Sequence, residues 1–346
     1  MKVKLIGAAA SFVAACIAVV PAHAEQLRYR VRLLSPAASA AAAAINPKGD
    51  VAGYEGASSS TIGAVIFKHD KTVAQLGTLG GATSAAHGIN SNDQVTGTSS
   101  TATPFISHAF RWKGGVLTDL GSLGTGSNAF SQGVAINEAG QVAGNTGFGA
   151  DGEHAFVWTK AGMKDLGVLP GMSYTEAHAI NTAGHVVGTA SMSGVVTRGF
   201  LYRDGALLDL QPDEPSPATQ AFGLNDADQV VGVASLASPS GVALYQAFVW
   251  DGGVMKALGV ARGTDTSSRA TAINNHGVVV GVSSLARNTV GFVYDGTSMA
   301  DLNTLVDKSS GWVFTDALSI NDKGQITGNG LYGGVAHPYL LTPIVK

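Results

Sequence analysis

The sequence predicts an all-β fold, a single seven-bladed β-propeller of four-stranded blades in which an N-terminal strand completes the last blade. Three observations lead there. Relatives of the string AHAINTAGHVVG, residues 177–188, occur seven times. Their anchors Asn46, Asn90, Asn137, Asn181, Asn225, Asn274 and Asn321 are 44, 47, 44, 44, 49 and 47 residues apart. That is the spacing of four-stranded blades, and longer than a leucine-rich or β-helix coil. Finally, the seventh repeat stops without its fourth strand, while a spare strand, YRVRLL (29–34), precedes the first repeat.

Each repeat reads as four strands. The first, innermost strand carries a Ser/Thr-x-Ala-x-Ala-Ile run with a small face, as at Thr175, Ala177 and Ala179. The turn follows at the anchor Asn, whose side chain accepts its own backbone N–H two residues on. Three residues after the Asn, Gly is expected at positive φ, with Asp93 and Asp228 standing in where Gly is absent. A Val/Ile-rich second strand comes next. The third alternates large residues: Phe110 and Trp112, Phe156 and Trp158, Phe200 and Tyr202, Phe248 and Trp250, Phe292 and Tyr294. The fourth ends in Asp-Leu or its variant. Large faces then pack on small ones from blade to blade, and one blade alone buries too little, so the ring must close. An open β-solenoid is the rival fold, but it wants polar caps at both ends rather than a spare first strand that matches a missing last one.

Composition fits this architecture. Of 346 residues only 13% are charged, and the 46 glycines favour turns and sheets over helices. The net charge of −3, with no basic run, excludes nucleic acid as a natural partner. At the N-terminus Lys2 and Lys4 precede an apolar run from Leu5 to Val20 and the small-x-small site Ala22-His23-Ala24. These features predict a signal peptide over 1–24 and one propeller domain over 25–346, with no transmembrane span in the mature chain. Cys16, the only cysteine, would leave with the leader. Val13 to Cys16 also reads as a lipoprotein box, although the apolar run continues past it.

No metalloprotease helix, phosphate-binding loop, dinucleotide fingerprint, nucleophile elbow or EF-hand loop is present in the sequence. His108, His154 and His337 recur at the start of the aromatic strand and read as structural, bonded to a neighbouring turn. His87 and His178 share the slot three before the Asn, where inner strands face the central channel. Two residues earlier lie Gln132, Glu176, Gln220, Arg269 and Asp316, a polar series that would rim one channel mouth. These seven are the candidate ligand-binding residues. Trp312, outside the aromatic slot, is either a stacking platform for a sugar or a plug at the closure seam. Neither a metal nor a cofactor is expected, and no catalytic residue is assigned.

The strings His108 to Phe110 and His154 to Phe156, with DLNTLVDKSSGWVFTDALSINDKGQITGNG followed by HPYLLTP near the end, resemble the HAF-repeat family of bacterial extracellular-repeat proteins. The resemblance spans nearly all of residues 29–345, with Pro338 and Tyr339 in place of the family's Ala and Phe. It implies export, extracellular or periplasmic, and a repeated β-fold, and brings no reaction with it. Together these features lead to the expectation of an exported, monomeric, non-enzymatic binding or surface-interaction module for a glycan or protein partner. Two alternatives stay open: a secreted polysaccharide hydrolase or lyase with its site at the channel mouth, and an architectural envelope subunit.

Overall fold

A computed structural model describes residues 28–126, 129–148, 152–192, 196–211, 218–237 and 243–344; the expected signal peptide and Cys16 lie outside the described residues. Seven antiparallel sheets form a ring, a seven-bladed β-propeller. Six blades are continuous in sequence and each meanders outward from its inner strand. Those inner strands are Ser39–Ile45, Gly80–Ile89, Ser131–Ile136, Tyr174–Ile180, Thr219–Leu224 and Ser267–Ile273. In the seventh blade the inner strand is split into Trp312–Phe314 and Ser319–Ile320, followed by Ile326–Tyr332 and Val335–Pro343. Its outer strand is Tyr29–Leu33, antiparallel to Val335–Pro343 with Tyr29 opposite Pro343 and Leu33 opposite Tyr339. The spare first strand thus closes the ring where the sequence placed it.

The aromatic slot is the core of each blade. Phe110, Phe156, Phe200, Phe248 and Phe292 are all fully buried, each worth about 2–3 kcal/mol of transfer free energy. Each lies directly across from a glycine of the second strand: Gly97, Gly144, Gly188, Gly232 and Gly281. The small face receives the ring as expected, Phe200 clustering with Ala177 of its own blade and Ala143 and Ala155 of the one before. The glycine itself has a second cause. A Cβ on Gly188 would stand 1.9 Å from the Glu176 carbonyl oxygen and 2.7 Å from the Phe200 ring. The inner strand leaves no room because it bulges there: its register shifts between Ala177 and Ala179, and likewise at the same point in the other continuous blades.

The recurring Asn does more than shape its own turn. Asn181 Oδ1 accepts from the His185 N–H at 3.0 Å, while Nδ2 donates to the Asn225 carbonyl of the next blade at 3.2 Å. The same donation links Asn46 to Asn90, Asn90 to Asn137 and Asn137 to Asn181. It continues from Asn225 to Asn274 and Asn274 to Asn321, and returns from Asn321 to Asn46 at 2.9 Å. Seven buried side chains therefore close a circle of hydrogen bonds around the channel.

The residue three after each Asn does adopt positive φ, from Gly49 at 93° to Asp93 at 57° and Asp228 at 59°. Its identity follows the blade before it. A Cβ on Gly49, Gly140 or Gly184 would stand 2.5–2.9 Å from the Oε1 of Gln325, Gln94 or Gln141, each of which accepts from the Asn four residues before it. Blades one, four and six lack that Gln, with Asp50, His185 and Val278 in its place. After the first two the next blade supplies Asp93 or Asp228, whose Oδ1 accepts from Asn46 at 3.4 Å and Asn181 at 2.9 Å; after blade six it has Gly324.

A third inter-blade clasp explains the other repeated strings. Thr175 of the inner strand accepts from Ala155 N–H of the preceding blade at 3.1 Å and donates to the Gly167 carbonyl at 2.8 Å. Ser84, Ser131 and Ser268 do the same. His108 and His154 bind Asp119 and Asp165 of their own blade's outer strand, at 2.9 and 3.1 Å, rather than a turn. His337 reaches the Ser35 carbonyl at 3.2 Å.

Two substitutions test these constraints by guanidinium unfolding. Asn181→Ala removes one of the two donors to the Asn225 carbonyl, which keeps the Asp228 N–H, and leaves the His185 N–H without its acceptor, and is expected to cost about 2–3 kcal/mol; an unchanged midpoint overturns the role of the circle. Gly188→Ala is expected to cost about 2 kcal/mol or more through backbone displacement. Gly263→Ala, with open space around it, should stay within about 0.5 kcal/mol of the parent.

Candidate functional site

The channel has three levels, set by the inner strands' direction. At the level of the bulge lie Ala43, His87, Val134, His178, Phe222, Thr271 and Leu318, which line a cavity of about 240 Å³. The bulge adds one residue to the inner strand, and that extra residue is the one turned into the lumen. His87 Nδ1 donates to the Gly133 carbonyl of the next blade at 2.9 Å, and Thr271 Oγ1 donates to the equivalent Ala317 carbonyl at 2.6 Å. His178 packs on the Phe222 ring with centroids 5.0 Å apart, and its Nε2 lies 3.4 Å from Thr189 Oγ1. Burial pushes the pKa of both imidazoles down, that of His178 to about 4 with help from the Arg269 charge. At neutral pH the lumen therefore holds two uncharged imidazoles among apolar side chains.

At the level of the Asn circle the mouth holds a cavity of about 200 Å³ edged by Glu138, Asp226, Asn275 and Asp322. These side chains reach back to the preceding blade. Glu138 accepts from Ser91 N–H at 3.0 Å, Asp226 from Thr182 N–H at 3.0 Å, Asn275 from Asp226 N–H at 3.0 Å, and Asp322 from Asn275 N–H at 2.8 Å. The acidic appearance of this mouth is thus structural in origin, and the repeat alignment alone hid it because the residue after the Asn varies in type. Among the described residues no group of three or more His, Cys, Asp or Glu side chains could hold a metal ion.

The opposite, entry mouth carries the polar series expected from the sequence. Gln132, Glu176 and Arg269 are exposed, and Gln220 and Asp316 half-buried. None of the five borders the lumen cavity, which takes only His87 and His178 of the candidate set. Among the described residues the side chains of Gln132, Glu176, Gln220 and Arg269 make no hydrogen bond. Arg269 lies over the Phe222 ring, 5.4 Å from its centroid. Asp316 accepts from Asn329 N–H at 2.7 Å, yet burial outweighs this bond and the Arg269 charge and raises its pKa to about 6. Glu176 instead couples to Glu153, whose pKa burial and the Glu176 charge push up. His178, Phe222, Arg269 and Asp316 thus form a chain of neighbours across four successive blades, while the two rim carboxylates, Glu176 and Asp316, answer to different partners.

Trp312 belongs to the closure seam. It stacks on Phe314 and Tyr332 at 5.8 and 5.2 Å and meets Tyr339 edge-on at 6.0 Å, with one side on a surface cavity of about 380 Å³.

Opposite pH signatures follow. His178, depressed in the fold, contributes stability that is full above its ordinary 6.5 and lost as pH falls toward 4. Asp316, raised in the fold, does the reverse, and stability is lost as pH rises from 3.8 to about 6. Thermal unfolding between pH 4 and 7 should show His178→Gln gaining on the parent as pH falls and Asp316→Asn gaining as pH rises. Parallel curves for parent and variants overturn both assignments.

No family model and no curated protein matches the chain. Solved structures share the fold. The β-propeller domain of the Trilobed protease from Pyrococcus furiosus, described as having an open velcro topology, aligns at a TM-score of 0.58 and 9% identity, over 89% of this chain and 94% of that one. A puromycin-hydrolyzing peptidase from Mycobacterium tuberculosis aligns at 0.56 and 11% identity, and Pyrococcus horikoshii acylaminoacyl peptidase at 0.55 and 10%, each over 87% of this chain. This chain covers 49% and 51% of those two, about half their length. At such identities the likeness shows the β-propeller fold alone.

Proposed function

We propose that the protein is an exported, non-enzymatic binding module that takes a glycan at the entry mouth. The observation that carries this reading is the series of polar side chains at one register position of successive inner strands. Elsewhere on these strands polar side chains are consumed between blades, as in the Asn circle and the Ser/Thr clasps. Gln132, Glu176, Gln220 and Arg269 alone in this series keep their donors and acceptors for something outside the protein. Amide, carboxylate and guanidinium groups on a rigid ring match the vicinal hydroxyls of a sugar, and the Phe222 ring beneath Arg269 offers an apolar face. Rigidity matters here, because a preformed site loses little entropy on binding. Export rests on the N-terminal sequence and the resemblance to HAF-repeat proteins.

Isothermal titration of the protein without its first 24 residues against envelope oligosaccharides tests the assignment. Arg269→Ala or Glu176→Gln should weaken binding at least about tenfold, about 1.4 kcal/mol, without lowering the unliganded melting temperature. Binding that ignores both changes moves the site elsewhere. Release of shortened sugars by the parent protein would instead favour the polysaccharide hydrolase or lyase.

A further inference from the structure

We propose that the lumen at the level of the bulge is a binding site for a small uncharged phenol, whose O–H donates to Nε2 of His87. The site is independent of a glycan at the entry mouth. No charged side chain lines it; around the two imidazoles stand Ala43, Val134, Phe222, Thr271 and Leu318. Toward the Asn circle the lumen meets an aliphatic collar. The residue just before each Asn, Ile in six blades and Leu224 in the fifth, stands between the lumen cavity and the cavity at the Asn mouth, and all but Ile180 border both.

The hydroxyls of this layer are spent inside the protein. Thr271 Oγ1 donates to the Ala317 carbonyl at 2.6 Å, and Ser319 Oγ accepts from the Ile45 N–H at 3.4 Å. The imidazoles are the exception. His87 Nδ1 meets the Gly133 carbonyl at 2.9 Å, and a carbonyl only accepts, so the proton of the neutral ring sits on Nδ1. Nε2 is left with a lone pair and no hydrogen-bond partner among the described residues. His178 holds one nitrogen near Thr189 Oγ1 and likewise leaves Nδ1 without a hydrogen bond. Neither free nitrogen is closed off from solvent: both rings are half-buried and border the lumen cavity.

A lone pair between apolar walls calls for a donor carried on an apolar body. An apolar cavity of about 150 Å³ already admits benzene, so the lumen, at about 240 Å³, has room for a substituted ring with its hydroxyl. A phenolic O–H is more acidic than that of an alkyl alcohol and makes the stronger bond to an imidazole nitrogen. Charged relatives fit less well. An ammonium would meet Arg269, whose guanidinium lies over the Phe222 ring 5.4 Å from its centroid, and a carboxylate would give up its hydration to face the lone pair of His87.

The test is NMR titration of the full chain, its histidines isotope-labelled, with p-cresol, toluene and p-toluate in separate arms. The expected result is saturable p-cresol binding that moves the His87 Nε2 resonance toward the range of a protonated nitrogen, with toluene and p-toluate at least about tenfold weaker. His87→Leu should lower p-cresol affinity at least about tenfold without reducing that for toluene. If this variant does not fold, the parent's Nε2 resonance decides, an unmoved resonance at saturation overturning the site. No saturable binding, equal affinity for p-cresol and toluene, tighter binding of p-toluate, or unchanged p-cresol affinity in a folded His87→Leu protein also overturns it.

Discussion

One interaction organises this protein: the donation from each Asn side chain to the main-chain carbonyl of the Asn in the next blade, repeated until Asn321 returns to Asn46. A carboxamide is needed because the side chain must do two opposite things at once. Its oxygen accepts from the turn that follows, fixing the hairpin, and its nitrogen donates outward, fixing the neighbour. An aspartate has the acceptor without the donor, and a serine lacks the reach and the second proton. Since every member is buried, removing one leaves an unmatched group in the interior, and the cost falls on two blades together.

The rest of the repeat is arranged around that constraint. The inner strands must come close at the channel, and in the six continuous blades the bulge before the Asn brings a carbonyl against the second strand, so that only glycine fits there. The same bulge turns one extra side chain into the lumen, which places His87 and His178 there. Where a Gln satisfies the second proton of the Asn, the next blade has glycine to make room; after blades one and four, which lack it, the next blade offers Asp93 or Asp228, while blade six, with Val278 there, is followed by Gly324. Variation between repeats is therefore compensated between blades. What remains uncommitted lies at the entry mouth and in the lumen, the places where ligands are proposed.

Much of this was legible in the sequence. The count of blades, the spare strand, the small and aromatic faces, the positive φ after the Asn and the channel position of His87 and His178 all follow from periodicity, because hydrophobic alternation and turn chemistry are local. The partners were not. Nothing in the string around Asn181 says that its Nδ2 meets a carbonyl 44 residues away, and nothing around His87 says that its Nδ1 is spent on the Gly133 carbonyl.

The division has a physical reason. Sequence by itself determined which residues form strands, which faces are large or small, and that the units must stack and close. Only the tertiary structure decided which polar groups are spent between blades and which are left free. Hydrogen-bond partnership depends on the distance and direction between atoms on different blades, whereas repeat position records only where each side chain leaves its own strand. Hence Glu138, Asp226 and Asp322, which form an acidic mouth in the fold, are consumed by backbone N–H groups. Gln132, Glu176 and Arg269, at an equally variable slot, stay exposed.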